Sequence, residues 1–277
     1  MFSPQGYKAA HEDGAVVRRT DRGVLAVSGP DRESWLQGLI TNDVRSIAEG
    51  ESRYSAYLTP QGRMITDMNV ESIGGRLLLD VPATLAAELR ERLDGLIFAE
   101  DVQVTDESER LIVWTVVRRD SVSDFISDSL PERFRGLQEV DLDTFETIRI
   151  ERGIPKFLVD MDRDTIPLEA GIEDRAISFT KGCYVGQEII VRVTQRGGGR
   201  VAKKLVRWRA ADAGAAVPPH GARIASGGRE IGRVTSAVSS PASQRIVGLG
   251  YVHRDFTAAG TSVTLLWNDA RVDAEVI

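Results

Sequence analysis

The chain of 277 residues, 42% apolar and 27% charged, suits one large domain or roughly two to three smaller ones and has an ordinary globular composition. Its net charge of −6 and pI near 5.3 exclude a general nucleic-acid coat, which needs a basic surface. A single cysteine excludes an internal disulfide and a self-contained four-thiolate iron–sulfur centre, and three dispersed histidines without HxxxH or CxxC spacing exclude a dedicated zinc motif.

The opening MFSPQGYKAAHEDGAVVRR has no apolar h-region, and Glu12 and Asp13 do not suit an organelle transit peptide. No apolar run has the length of a membrane span. With the lone thiol, these features predict a cytoplasmic protein.

Residues 23–29 (GVLAVSG) predict a short strand. In PDRESWLQGLITNDV, Trp35, Leu36, Leu39 and Ile40 recur at helical spacing behind Asp31 as N-cap. Residues 54–58, 63–71 and 76–81 predict strands, joined by Thr59-Pro60-Gln61-Gly62, with Pro60 at the second turn position, and by Gly74-Gly75. Leu85, Leu89, Leu93 and Leu96 mark an amphipathic helix ending within residues 95–99. Residues 102–105 and 111–117 predict a strand pair around the acidic DESER loop. Ser121 with Asp124 has the pattern of a capping box opening a short helix. Asp143 with Glu146 opens another, with Phe145 and Ile148 inward and Gly153 and Pro155 as terminators. Strands alternating with single helices make this region α+β or α/β.

After Val191 the pattern changes. VRVTQ, RVAKKLVRW, ARIAS, REIGRVTSAVS, RIVGLGYV, SVTLLW and ARVDAEVI are short β-like runs between turn residues, so a small all-β barrel or sandwich begins near residue 200. AADAGAAVPPHG is a surface loop within it. Gly197-Gly198-Gly199 lies between strand-like runs and predicts a hairpin turn rather than a phosphate loop, which leads from a strand into a helix.

The residues that carry chemistry are few. Residues 181–209 hold eight cations (Lys181, Arg192, Arg196, Arg200, Lys203, Lys204, Arg207, Arg209) and one acid, Glu188. Such a stripe is either a solvated strand face or an attractor of anions: a polyglutamyl tail, a phosphate or RNA. Asp67 after RMIT and Glu169 in PLEAG are each either a general acid/base or heterocycle acceptor, or a cap or surface charge. Cys183 lies in KGCYVGQE and is either a small buried hydrophobe or a reactive thiol. An ammonium on Lys181 close to the sulfur favours the thiolate, Gly182 permits close approach of backbone or ligand, and Gln187 and Glu188 are placed to order the loop. GxSxG is absent, which argues against a hydrolase elbow, and no GxGxxG follows a strand, which argues against a flavin domain.

KGCYVGQE with the following IIVRVTQRGG resembles the signature of the YgfZ family of folate-binding proteins. That family belongs to the superfamily of the glycine-cleavage T-protein, a tetrahydrofolate-dependent aminomethyltransferase. VSGPDRESWLQGLITNDV, YLTPQGRMITDM, RIERGIPKFLVDMDRDTIPLEAGI, and REIGRVTSAVSSP with IVGLGYVHRD resemble further superfamily segments in the same order. The resemblance implies an α+β, T-protein-like fold. Two interleaved α/β modules around a central opening would make a folate-binding region over residues 1–199, and a C-terminal all-β barrel would cover residues 200–277. It implies tetrahydrofolate or a derivative as cofactor, with no intrinsic metal. Glu169 matches the pterin-bonding carboxylate, and Asp67 falls where the T-protein carries its catalytic aspartate. The T-protein lacks the cysteine motif and is longer, so the resemblance points away from glycine cleavage. It implies an accessory protein for assembly, repair or maintenance of iron–sulfur enzymes, affecting tRNA modification through them. Cys183, Lys181 and Asp67 are the catalytic candidates. The motif residues are Lys181, Gly182, Cys183, Tyr184, Gly186, Gln187 and Glu188, and Arg192, Arg196 and Arg200 are the candidate anion or partner contacts. Implied partners are a reduced folate and iron–sulfur client or assembly proteins, without a membrane and without direct RNA binding. Enzymatic turnover is not the leading expectation. The alternative is a tetrahydrofolate-dependent aminomethyl or one-carbon transferase, with Asp67 as acid/base and Glu169 as pterin anchor.

Overall fold

Ser3 begins the first helix, α1 (Pro4–Glu12), its hydroxyl accepting the Gly6 amide at 3.1 Å. The computed structural model describes residues 1–196, 198–212 and 214–277, the side chain of Arg196 excepted. Two units divide the chain: Met1–Phe145 with Asp174–Gln187, and Glu146–Glu173 with Glu188–Ile277.

In the first unit α1 is followed by β1 (Ala15–Arg18), β2 (Arg22–Ser28), α2 (Arg32–Gln37), β3 (Ser52–Leu58), β4 (Met64–Ile73), β5 (Arg76–Pro82), α3 (Ala86–Asp94), β6 (Gln103–Asp106), β7 (Ile112–Arg118), β8 (Ser121–Ser127) and β9 (Gln138–Val140). An antiparallel five-stranded sheet has the order β3-β4-β5-β2-β6, and a four-stranded sheet runs β8-β7-β1-β9, with β1 and β9 parallel. Alternation decides what each face meets. Val24, Ala26 and Leu78 pack with Val113 and Ile126 of the smaller sheet. Leu25 and Leu79 point the other way, where α3 touches β2 and α2 touches β5; Leu36, Leu89 and Leu93 on those helices are also fully buried. Each such leucine contributes about 1.5–3 kcal/mol by leaving water.

The unit division falls inside α4 (Leu142–Glu151), whose Phe145 and Ile148 are buried as their spacing predicts. Its start is held by Asp141, whose Oδ1 accepts the Thr144 amide at 2.8 Å. Short helices α5 (Pro167–Ala170), α6 (Glu173–Ala176) and α7 (Gln187–Val191) follow. The second unit ends in a closed six-stranded barrel of β10 (Lys203–Ala210), β11 (Arg223–Ser226), β12 (Arg229–Ser240), β13 (Arg245–His253), β14 (Ser262–Trp267) and β15 (Ala270–Val276). Its order is β10-β13-β12-β11-β14-β15, closed by β15 on β10. Trp208 fills the interior with Ile224, Val234, Leu265 and Val276. Gly248 makes room for it: a Cβ there would lie 2.3 Å from the indole ring and 2.2 Å from the Ser236 carbonyl. No helix among the described residues is long and apolar enough to cross a membrane.

Several local expectations are corrected. Residues 102–105 and 111–117 are not a pair: β6 joins β2 in one sheet and β7 joins β1 and β8 in the other, because each finds its apolar partner elsewhere. Ser121 with Asp124 caps no helix. Residues 121–127 form β8, paired along β7, where Asp124 accepts from Thr115 and Asn69. VRVTQ is helical. α7 continues as a π-helical turn, Arg192–Arg196, with the Thr194 hydroxyl bonded back to the Ile190 and Val191 carbonyls. Glycines 198 and 199 therefore leave a helical turn rather than join two strands, and Gly197 lies outside the described residues. Asp31 stands at the N-cap of α2, but its carboxylate accepts the Asp101 amide instead of a helix amide.

Candidate functional site

The KGCYVGQE loop belongs to the first unit, and its position follows from five backbone carbonyls in residues 37–42. The Ser178 amide donates to Thr41 O at 3.1 Å and the Val185 amide to Gly38 O at 3.2 Å, so the loop is tied on both sides of Cys183. Between these ties the Lys181 ammonium donates to the carbonyls of Gln37 at 2.6 Å, Ile40 at 2.8 Å and Asn42 at 2.8 Å. An ammonium has three N–H donors, and all three are spent here. Lys181 therefore anchors the loop through its N–H groups, a task that its place in the motif did not announce. Cys183 itself is exposed. Gly182 is exposed too, and a Cβ there would meet nothing within 4 Å, so its lack of a side chain answers to no neighbour in the chain.

The end of the motif is built differently. Tyr184 is buried, with the Lys181 ammonium 5.2 Å from its ring centre, and burial pushes its hydroxyl up to about 12. Gly186 has φ +85°, and a Cβ there would lie 2.6 Å from Thr59 O, so this position packs onto the Thr59-Pro60-Gln61-Gly62 turn as only glycine can. Gln187 and Glu188 open α7, Gln187 through its amide to Tyr184 O. Neither side chain makes a hydrogen bond to the loop among the described residues.

Burial holds Lys181 down at about 8 from the ordinary 10.5. The unfolded chain keeps this proton to higher pH than the folded chain does. The burial cost of its charge, offset in part by the three carbonyl bonds, is therefore absent above about 10.5 and complete once pH has fallen through about 8. Raising pH from about 7 to about 10 is expected to shift the urea midpoint of the native protein upward relative to Lys181→Met. A difference that stays flat or moves the other way refutes this sign.

Asp67 lies in the same unit, on β4 opposite Ala56 of β3. Its carboxylate is 6% exposed, accepting from Arg22 Nη1 at 3.0 Å and from the Tyr54 hydroxyl at 2.9 Å. Burial, and then Asp67, push the Tyr54 hydroxyl well above its usual range. Arg22 also binds both the carboxylate and the carbonyl of Asp80. Asn69 bridges Asp80 and Asp124, at 3.0 Å to each. Tyr54 joins this network to the loop: its carbonyl accepts Asn42 Nδ2 at 2.8 Å, and Asn42 O is one of the three carbonyls around Lys181. Asp67 and Lys181 thus share one connected framework, yet both Asp67 oxygens are engaged.

Glu169 sits on α5 in the second unit, on a cavity of about 520 Å³ that also exposes Lys203, His220, Tyr251 and His253. Lys203 Nζ lies 3.9 Å from Glu169 Oε2 and 4.8 Å from the centre of the Tyr251 ring. The Tyr251 hydroxyl is buried and meets no hydrogen-bond partner in good geometry among the described residues. It stands beside Thr165, whose hydroxyl donates to Asp162 Oδ1 at 2.8 Å, accepts the Asp162 amide at 3.1 Å and keeps one lone pair. Burial raises the Tyr251 hydroxyl above its ordinary range. The wall behind is rigid: Asp160 accepts from Arg149, the Lys156 amide, Thr235 and Ser236.

The basic stripe is not one free surface. Lys204 faces Glu173, Arg209 faces Glu275, and Arg207 donates to Glu151 O at 2.6 Å. Arg192 and Arg200 are exposed, and the side chain of Arg196 lies outside the described residues. The described residues contain no group of three or more His, Cys, Asp or Glu side chains able to hold a metal. Sequence reasoning overlooked Arg22, Tyr54, Asn42, Asp160 and Tyr251. Asn42, Asp160 and Tyr251 stand inside quoted motifs, but nothing local marks which polar residue is buried.

Comparison with known proteins finds the glycine cleavage T-protein C-terminal barrel domain over residues 203–277. An aminomethyltransferase of Rubrobacter xylanophilus is 28% identical, covering 89% of this chain and 79% of its own. One of Halothermothrix orenii is 32% identical over 51% of this chain and 38% of its own, and one of Bacillus subtilis is 24% identical over 92% and 84%. The crystal structure of the glycine cleavage system aminomethyltransferase T of Bartonella henselae superposes with a TM-score of 0.84 at 17% identity, covering 100% of this chain and 89% of that one. The chain therefore has the T-protein fold, mixed α/β sheets with a closed C-terminal barrel, as expected.

Proposed function

We propose that this chain, with its T-protein fold and C-terminal barrel domain, is a member of the T-protein superfamily and a folate-binding accessory protein for the assembly, repair or maintenance of iron–sulfur enzymes in the cytoplasm, with Cys183 as its working thiol. The observation that carries this reading is the contrast between its two candidate reactive groups. Cys183 is exposed on a loop tied down at both ends, whereas Asp67 is buried with each oxygen bonded. A fixed, accessible thiol suits contact with a partner; a buried, doubly bonded carboxylate suits a scaffold. One thiolate supplies one ligand to a cluster, so client residues or small thiols complete the coordination. Arg192 and Arg200, both exposed, are available to an anionic folate tail or an acidic partner surface.

The residues of the Glu169 cavity fit a reduced folate. Its volume of about 520 Å³ is that of a small-molecule site, and Glu169, Lys203 and Tyr251 line it. Glu169 would accept the amino and ring N–H groups of a pterin through its two oxygens, with Tyr251 and Lys203 donating to ring acceptors. When bound, the folate would supply a one-carbon carrier; the chain's residues hold and orient it. Glu169→Ala is expected to weaken tetrahydrofolate binding about 10–100-fold in titration, the loss of a charged hydrogen-bonded contact. Equal affinity in the variant would remove Glu169 from the site. Cys183→Ala and Cys183→Ser are expected to lower the activity of client iron–sulfur enzymes while the protein stays folded. Unchanged client activity in both would remove the thiol from the function.

A second reading, a tetrahydrofolate-dependent aminomethyltransferase, is favoured by the names of the relatives. It requires Asp67 to act as acid/base. Turnover of an aminomethyl donor that disappears in Asp67→Asn while folding is retained would establish it over the first.

A further inference from the structure

The backbone carbonyls of Gln37, Ile40 and Asn42 converge on one point. Gln37 is the last residue of α2, so its carbonyl belongs to the unpaired, partly negative end of that helix. Ile40 and Asn42 add two more carbonyls, and all three meet at the Lys181 ammonium at 2.6–2.8 Å. The group is held in place without the lysine. The Thr41 amide and hydroxyl bond Ala56 O and Ala176 O, Asn42 Nδ2 bonds Tyr54 O and Arg175 O, and Gln37 Nε2 bonds Asp43 Oδ1. Converging carbonyl oxygens on a rigid frame replace the hydration shell of a monovalent cation. Here the resident cation is a side chain.

We propose that residues 37–42 form a preorganised tricarbonyl site for a monovalent cation, and that Lys181 is a positioning residue whose ammonium fills this site and thereby holds the Cys183 loop. The proposal rests on the reading of Cys183 as the working thiol, and it assigns Lys181 a different task from adjusting that thiol. All its donors are spent on carbonyls, so none is left for sulfur. Three of the five bonds that tie residues 178–185 to residues 37–42 come from this one group. Removing it leaves the loop on its two backbone bonds and leaves three part-buried carbonyl acceptors without their donor.

Two kinds of cation separate this proposal from an electrostatic one. An alkylammonium or potassium ion can enter the vacated carbonyl site; the larger tetramethylammonium has no N–H donor and cannot. An arginine keeps the charge, but its planar fork does not direct three donors onto three converging carbonyls. The experiment uses the full chain with Lys181→Ala and Lys181→Arg, amide hydrogen exchange over residues 178–186, and the pH profile of Cys183 alkylation by iodoacetamide. Exchange in the loop is expected to rise at least about tenfold in both variants. Methylammonium or potassium chloride restores slow exchange in Lys181→Ala, and tetramethylammonium chloride at equal ionic strength does not. The midpoint of the alkylation profile stays within about 0.3 pH unit of the native protein in Lys181→Ala.

A midpoint raised by about one unit in Lys181→Ala and returned by Lys181→Arg would overturn the proposal in favour of charge on the thiol. Loop exchange that neither rises in Lys181→Ala nor responds to methylammonium would overturn it as well. Should Lys181→Ala fail to fold, its refolding yield in methylammonium against tetramethylammonium decides the same question, and equal yields refute the site. Client-enzyme activity is a separate readout. Rescue of the loop by methylammonium, with client activity unchanged throughout, supports the cation site while removing Cys183 from the proposed function.

Discussion

Arg22→Met is expected to lower the unfolding free energy by about 3–5 kcal/mol, the cost of leaving buried charge without its partner. The Arg22 side chain is 8% exposed and is the shared counter-ion of Asp67 and Asp80, themselves 6% and 2% exposed. Methionine matches the stem of arginine but supplies no donor, so two carboxylates stay behind in a low-dielectric interior. Burial already pushes the Asp80 carboxyl upward, with Arg22 the main opposing influence. In the variant the Asp80 carboxyl holds its proton to higher pH than in the native protein. The deficit measured by urea unfolding is therefore largest near neutral pH and shrinks as pH falls. Arg22→Met combined with Asp80→Asn should recover part of the loss. An Arg22→Met protein within about 1 kcal/mol of native at neutral pH would show that water reaches this network. The consequence for function is direct, because Arg22 and Tyr54 are what take up both oxygens of Asp67.

Asp160→Ala is expected to cost a similar amount, about 3–5 kcal/mol, in the second unit. Asp160 is fully buried, and four donors converge on it: Arg149 Nη1 at 2.6 Å, the Lys156 amide at 3.0 Å, Thr235 Oγ1 at 2.5 Å and Ser236 Oγ at 2.6 Å. Arg149 spends its remaining N–H groups on Glu146, Ile154 O and Ser236. Truncating the carboxylate leaves one guanidinium donor, one amide and two hydroxyls without an acceptor. Asparagine keeps the shape but turns one acceptor into a donor facing other donors, so Asp160→Asn should rescue little. Urea unfolding followed by the fluorescence of buried Trp208 is the measurement, and a loss below about 1 kcal/mol would contradict it. Asp160 also walls the Glu169 cavity, so folate affinity should fall in both variants even at temperatures where they remain folded.

Much of the architecture is legible in short windows. The six barrel strands announce themselves through alternation between Gly, Ser, Pro and Asn turns, and the structure places strands on those runs. Pro60 fixes its own φ, so the Thr59-to-Gly62 turn can be read locally, and the structure closes it with the Gly62 amide on Thr59 O at 2.8 Å. Phe145 and Ile148 carry the helical period of α4. The failures have one physical origin. A period reports that a face is buried, not which element buries it. Residues 111–117 therefore looked like partners of residues 102–105 when each belongs to a different sheet. SVSDFIS has a capping pattern that β7 overrules, since a strand beside it offers every backbone group a partner. VRVTQ has β-branched residues that argue for a strand, and Thr194 answers its own polar demand by bonding back into a helical turn.

The sequence by itself determined that this protein has a single thiol, that the thiol lies between Lys181 and Glu188, and that the chain ends in β structure, because composition and short-range pattern need no partner to be read. Only the tertiary structure decided what the neighbours of that thiol do. Lys181 meets acceptors 139 to 144 residues away, and Arg22 meets Asp80 across 58. A charged side chain carries no mark of the group that will neutralise it. Folding brings the carbonyls of residues 37–42 to the Lys181 ammonium, and it spends Asp67 on Arg22 and Tyr54. Cys183 is left exposed on a loop held at both ends.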